Sequence, residues 1–276
     1  MVEPLRIRYR CLSGDPIILA GPFDNPHNNF FNPEIVAALS DRAAHFIVFQ
    51  SASLEEPRRA AQVIELLRQR RADNPRHRYF ATANSEAELE ILRKADIPCG
   101  LINDNALISE FFYRPNSSAA KPYDAISNAG LVPLKRVHLA TAIPSLALLF
   151  VDYHGQGADD DRYAAELRAS LKQATFVNRP QPHDAYRWLA SHEVVEWCNR
   201  SHVGLCLSAS EGAMRASMEY LLCGLPVVST PSIGGRDIFF HPSFARIVEP
   251  EPQQIAAAVA TLIAEQIPPE RIRGYV

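Results

Sequence analysis

The sequence predicts an α/β chain of two doubly wound halves, and three observations carry that prediction. Short apolar runs alternate with amphipathic stretches up to residue 102; a Pro-, Ser- and Asn-rich interruption occupies 113–123; the same alternation then restarts and runs to 228. Strands and helices alternating at this spacing give a parallel sheet with crossover helices. In the first half the apolar runs 17–20, 46–49, 79–81 and 99–102 read as strands, and 34–41, 58–71 and 85–94 read as the helices between them. Pro33 suits a first helical turn, with Asn32 as N-cap, and Ser85 is placed to cap the third helix. In the second half the strands fall at 123–128, 146–152, 175–177, 203–207 and 226–228, with helices at 136–142, 163–173, 192–200 and 214–223. The interruption has linker composition, which sets a boundary between domains at 1–115 and 120–276.

At 276 residues, 47% hydrophobic and 21% charged, the chain is long enough for two compact α/β domains, each with a real core. A formal charge of -3 argues against general nucleic-acid or membrane-surface binding, which needs clustered positive potential. The basic cluster Arg68, Arg70, Arg71, Arg76 and Arg78 follows an amphipathic pattern and reads as a solvated helix face. The start of the chain lacks the order of a signal peptide, and the apolar run 146–151 is too short to span a bilayer, so the expected location is the cytoplasm. Five cysteines, Cys11, Cys99, Cys198, Cys206 and Cys223, form no CxxC pair and read as small buried hydrophobes.

The chemistry concentrates between Val203 and Gly235. An apolar strand leads into the loop Ser208-Ala209-Ser210-Glu211-Gly212; a helix follows, with Gly224 as its left-handed stop, and then a second strand. In an open α/β sheet a ligand lies at the carboxyl ends of strands, which puts it at this loop. Gly212 and Ala213 keep the backbone thin at the expected helix start, where free N–H groups favour an anion such as phosphate. Glu211 and Glu219 read as ordinary solvated glutamates or as site carboxylates. The apolar company of Met218, Tyr220, Leu221 and Leu222 favours a functional reason for Glu219.

The run Ser-x-Ser-Glu-Gly-Ala-Met-Arg-Ala-Ser-Met-Glu-Tyr-Leu-Leu-Cys-Gly-Leu-Pro-Val-Val-Ser-Thr, with its two glutamates separated by seven residues and Gly234-Gly235 beyond it, resembles the signature of retaining glycosyltransferase family 4. Leu131-Val132-Pro133-Leu134-Lys135-Arg136 is similar to the family's Gly-Arg-Leu-x-x-x-Lys-Gly turn; Lys135 falls on the lysine, Gly130 stands at the arginine position, and Met214 replaces a family glycine. The resemblance runs from Tyr123 to Val259. It implies a GT-B fold, two Rossmann-like doubly wound domains facing across a cleft, here with a short N-terminal domain on the acceptor side and a C-terminal domain that binds the nucleotide-sugar donor. The end from Arg271 to Val276 is short of the family's closing helix.

The implied activity is a retaining transfer of a sugar, of the hexosyltransferase type, from a nucleoside diphosphate sugar to a hydroxyl acceptor on a sugar or glycoconjugate, in polysaccharide or glycoconjugate synthesis. On this resemblance Lys135 and Glu211 are catalytic, and Gly130, Lys135, Gly212, Ala213, Met214, Arg215 and Glu219 line the donor site. Glu219 bonds the ribose, Glu211 lies near the transferred sugar, and Lys135 with the N–H groups of Ala213 and Met214 neutralises the leaving diphosphate. Arg215 or Arg136 is placed to supply the cation that Gly130 lacks. No metal or other cofactor is expected: Asp159-Asp160-Asp161 contains an Asp-x-Asp, but it opens a helix, where acidic residues suit the dipole.

On the acceptor side, the loop 21–31 after the first strand offers Asp24, His27 and Asn28; either His27 or Asp24 orients a hydroxyl, or the segment is a tight turn. Asn103-Asp104-Asn105 reads equally as a site loop or as turn chemistry. Two other functions stand beside the transferase: a non-catalytic nucleotide-sugar-binding or scaffold protein of the same fold, and a nucleotide-sugar epimerase. The expected partners are a nucleotide sugar and a hydroxyl acceptor, with no nucleic acid and with homo-oligomerisation left open.

Overall fold

The computed structural model describes residues 10–23, 33–50, 52–151 and 158–276. They divide into two compact units. One holds the described residues up to Leu107 together with Ser210–Ala213 and Ile233–Ile238; the other holds those of Ile108–Ala209, Met214–Ser232 and Phe239–Val276.

In the first unit the alternation of apolar and polar residues builds β1 (Arg10–Gly14), β2 (Ile17–Pro22), β3 (Ala44–Phe49), β4 (His77–Ala83) and β5 (Cys99–Leu101). They form one sheet in chain order, antiparallel between β1 and β2 and parallel from β2 to β5. The crossovers are α1 (Pro33–Ala38), α2 (Pro57–Asp73) and α3 (Glu86–Lys94). Ile17, Leu19, Phe46, Val48, Tyr79 and Ala81 face Val63, Leu67, Leu89 and Leu92 in one core. Ser85 caps α3 as expected, accepting the Glu88 N–H at 3.2 Å. Arg68, Arg71, Arg76 and Arg78 are exposed. Two of these guanidinium groups also close the end of α3, Arg68 donating to the Ala95 carbonyl and Arg71 to that of Asp96.

The second unit holds β6 (Tyr123–Asn128), β7 (Leu146–Leu149), β8 (Ala174–Phe176), β9 (Ser201–Cys206), β10 (Val227–Ser229) and β11 (Ala245–Ile247). All pair in parallel in the order β11-β10-β9-β6-β7-β8. Alternate residues serve opposite faces. Ala125, Leu146, Leu148, Val203, Leu205 and Val228 meet α4 (Ala158–Ser170) and α7 (Pro252–Glu265). Ile126, Ala147, Leu149, Cys206 and Val227 meet α5 (Ser191–Asn199), α6 (Arg215–Leu222) and α8 (Pro269–Arg273). A strand buried on both faces reads as a continuous apolar run, which is why these strands are legible.

Three expectations change. The helix foreseen at 136–142 is a pair of 3-10 turns, Pro133–Lys135 and Val137–Ala142, because Arg136 between them adopts φ 50° and the bonds close i to i+3. The strand at 146–152 stops at Leu149. Cys198, Cys206 and Cys223 are buried as expected, but Cys11 is exposed on the edge strand β1.

Helix α6 ends as its glycine foretells. Gly224 takes φ 74°, its N–H reaches the Leu221 carbonyl at 2.9 Å, and the Leu225 N–H reaches that of Tyr220 at 2.9 Å. The helix lies close on β9 because Gly204 has no side chain: a Cβ there stands 2.2 Å from the Tyr220 ring. Gly204→Ala is therefore expected to destabilise the chain by about 3 kcal/mol, through overpacking against a ring with no room to retreat. Urea unfolding of the two proteins measures it, and an unchanged midpoint contradicts this packing.

Candidate functional site

Strand order in the second sheet reverses at one place. From β6 the chain moves outward through β7 and β8, and from β9 it moves the other way through β10 and β11. Ligands of doubly wound sheets sit beyond the carboxyl ends of the strands at such a reversal. The segments that leave β6 and β9 there are 129–136 and 207–214, the two in which the sequence motifs lie. The Ala209 N–H donates to the Leu134 carbonyl at 3.1 Å and ties them together.

The first segment passes through buried Gly130 and then makes the Pro133–Lys135 turn, which leaves Lys135 partly buried. Arg136 follows, partly buried, in the left-handed conformation.

The second segment carries buried Ser208, Ser210 and Glu211. The helix that follows it starts within one residue of the expected position. Ser210 forms a parallel bridge to Ile233, the Glu211 N–H donates to the Ile233 carbonyl at 3.0 Å, and the Gly235 N–H donates to the Gly212 carbonyl at 2.8 Å. Those bonds tie 210–213 to the glycine pair, and the helix begins at Arg215, with Met214 as N-cap. Gly234 permits the arrangement. It has φ 98°, and a Cβ there falls 1.8 Å from the Glu211 carbonyl oxygen. Of the two amides expected at the helix start, Ala213 precedes it and Met214 caps it. The Met214 carbonyl accepts from the Ser217 N–H at 2.9 Å and from its hydroxyl at 2.7 Å. The N–H groups of Arg215 and Ala216, in the first helical turn, have no intrahelical acceptor.

Glu219 lies one turn further along α6 and is partly buried. The Tyr113 hydroxyl donates to its Oε1 at 2.9 Å, and the Asn128 amide donates to its Oε2 at 3.1 Å. Burial holds its carboxyl above the ordinary value, while the bonds from Tyr113 and Asn128 and the charge of Arg215 pull it back down. Burial also raises the Tyr113 phenol, and the neighbouring carboxylate raises it further, so Tyr113 is a standing donor. One residue along, fully buried Tyr220 accepts the Asn128 N–H through its hydroxyl at 2.6 Å. Asn128 is thus held by backbone and side chain at the end of β6, where the Gly130–Lys135 segment begins.

The expected site residues fall into two groups. Gly130, Lys135, Met214, Arg215 and Glu219 belong to the second unit, while Glu211, Gly212 and Ala213 pack with Ile233–Ile238 in the first. Asp24, His27 and Asn28 lie outside the described residues. Asn103-Asp104-Asn105 is buried, and its Asn103 amide donates to the carbonyls of Asn84 at 2.9 Å and of Gly235 at 2.8 Å. Asn84 is itself fixed: its N–H donates to Glu88 Oε2 at 2.8 Å and its Oδ1 accepts the Asp104 N–H at 2.9 Å. This network within the first unit holds the glycine pair. Sequence reading missed Tyr113, Asn128 and Asn84. Tyr113 stands at the start of a segment read as linker, where the sequence signal was an aromatic residue beside Pro, Asn and Ser; the structure buries it. Asp159-Asp160-Asp161 falls in the opening turn of α4.

Two α/β sheets, parallel but for the edge strand β1, are the GT-B fold of glycosyltransferases. Residues 142–265 match the sequence model of the family described as Glycosyl transferases group 1. The solved structure of Anabaena Alr3699/HepE in complex with UDP is similar with a TM-score of 0.63 at 17% identity, covering 87% of this chain and 68% of that one. Sucrose-phosphate synthase from Thermosynechococcus elongatus is similar with a TM-score of 0.65 at 16% identity, over 96% of this chain and 67% of that one. The pneumococcal O-GlcNAc transferase GtfA in complex with UDP and GlcNAc is similar with a TM-score of 0.56 at 16% identity, over 88% of this chain and 50% of that one. None of the curated proteins matches this chain in sequence. Among the described residues no helix is long and apolar enough to cross a membrane.

The raised carboxyl of Glu219 has a measurable sign. An acid whose value is higher folded than unfolded holds its proton more tightly when folded, so its contribution is full below the ordinary value of 4.5 and is lost as pH rises through the folded value. Glu219→Gln, uncharged throughout, is expected to show a shallower decline in stability above pH 4.5, read from urea midpoints at successive pH values. Parallel curves for the two proteins contradict the assignment.

Proposed function

We propose that this protein is a retaining glycosyltransferase that moves a sugar from a nucleoside diphosphate sugar to a hydroxyl on a sugar or glycoconjugate acceptor. The observation that carries the reading is the strand-order reversal between β6 and β9. There the segments bearing Lys135 and Met214 are joined by the Ala209–Leu134 bond, and Glu219 is held by its two donors. The group 1 match over 142–265 supports the reaction class, and UDP in the Alr3699/HepE and GtfA complexes supports the donor class.

In this reading Glu219 accepts the ribose hydroxyls. Lys135, with Arg215 and the free N–H groups at the start of α6, faces the diphosphate. As the bond from the anomeric carbon to the diphosphate oxygen breaks, negative charge gathers on that oxygen, and Lys135 stabilises it. The acceptor oxygen bonds to the anomeric carbon on the same face and passes its proton to the departing phosphate oxygen. Glu211 lies near the transferred sugar, as the family resemblance implies. No metal is assigned a step. The first domain is assigned to the acceptor. Five cysteines without a disulfide go with a reducing compartment, the cytoplasm.

A second reading, a nucleotide-sugar-binding protein without turnover, is favoured by one feature: Gly130 stands where the family resemblance expects a phosphate-gripping arginine. Release of UDP or GDP from a panel of nucleotide sugars, supplied with mixed sugar acceptors, separates the two. The expected result is release from one donor, reduced on the order of a hundredfold by Lys135→Ala and by Glu211→Ala. Binding of nucleotide without release, weakened by Glu219→Ala, selects the second reading.

A further inference from the structure

Glu219 is the one site carboxylate in the second unit, and its orientation does not come from its own helix. Among the described residues each of its oxygens has one donor, Tyr113 at 2.9 Å and Asn128 at 3.1 Å. A carboxylate accepts about four hydrogen bonds, so two directions remain for a diol once these are made. Tyr113 is 8% exposed, and it is fixed from behind. The guanidinium of Arg273 donates to the carbonyls of Tyr113 and Glu110 and, at 2.8 Å, to that of Leu222 at the end of α6. One arginine at the far end of the chain therefore sets the segment carrying Tyr113 against the helix carrying Glu219. Phe112 packs edge-on to the Tyr113 ring at 5.5 Å.

We infer that Tyr113 is a positioning residue for nucleotide binding, aiming the Glu219 carboxylate at the ribose hydroxyls, with Arg273 holding Tyr113 in place. This rests on the reading of Glu219 as the ribose ligand. An ionised carboxylate accepts from both hydroxyls of a ribose, whereas a protonated one turns an acceptor into a donor and loses one of them. The charged and titratable groups around Glu219 are Arg215 on its own helix, Tyr113 from the connecting segment, Cys198 on α5 and Tyr220 beside it. Tyr113 and Arg215 favour the charge, and burial opposes it. Removing the phenol hydroxyl leaves burial less opposed, which moves the carboxyl further up and makes nucleotide binding fail at a higher pH.

The test is the dissociation constant of UDP, and of GDP, for the full chain from pH 5 to pH 8, for the wild type, Tyr113→Phe, Arg273→Gln and Glu219→Ala. Tyr113→Phe is expected to weaken binding about tenfold at neutral pH, roughly the value of one hydrogen bond to a charged group, and to move the acid limb of the profile to higher pH. Arg273→Gln moves both in the same direction by less, and provides the answer if Tyr113→Phe does not fold. Wild-type affinity and an unmoved acid limb in both variants, with binding still weakened by Glu219→Ala, overturn the role of Tyr113 and leave the ribose reading standing. Unchanged binding in Glu219→Ala, or no binding of either nucleotide to the wild type, overturns that reading and this inference with it.

Discussion

The second unit turns on one buried side chain. Tyr220 presses its ring on Gly204 in β9 and takes the Asn128 N–H at the end of β6, so a single residue of α6 is fastened to both strands at the reversal of strand order. A fully buried phenol needs a partner for its hydroxyl, and here that partner is backbone at the place where the Gly130–Lys135 segment departs. The position of Glu219 follows, because it is the preceding residue of the helix and its Oε2 takes the side chain of the same asparagine. Remove the close approach at Gly204, and helix, strand end and carboxylate lose their common reference.

The segment after β9 has the opposite character. It is held by backbone bonds to Ile233 and Gly235 and not by helical ones, and the glycine pair is itself pinned through Asn103 to Asn84. A loop so bonded keeps Glu211 buried and leads into α6 at Arg215. The N–H groups of the cap Met214 and of Arg215 and Ala216 have no acceptor within the helix.

Much of the fold was legible because its strands are buried on both faces. Runs such as Val203 to Leu207 and Leu146 to Leu149 cannot be solvated, and their spacing leaves room only for crossover helices. The helix α7 repeats Ile255, Ala258, Val259 and Leu262 on one face, a period readable in the sequence that the expectations above leave unassigned. The 3-10 turns at 133–142 were hidden for a better reason: a single residue, Arg136, takes a left-handed conformation that its side chain does not advertise.

By itself the sequence determined most of the parallel strands, the stop at Gly224 and the cap at Ser85, since each depends on apolar period, on glycine or on a polar residue acting within a few positions of itself. Lys135, Glu211 and Glu219 entered as candidates through the family resemblance. Only the tertiary structure decided which groups hold them. Tyr113 reaches Glu219 from 106 residues away, Asn128 from 91, and Arg273 reaches the Tyr113 carbonyl across 160. Hydrogen bonds between residues so far apart in the chain leave no local pattern, because their partners are set by how the helices pack on the sheet.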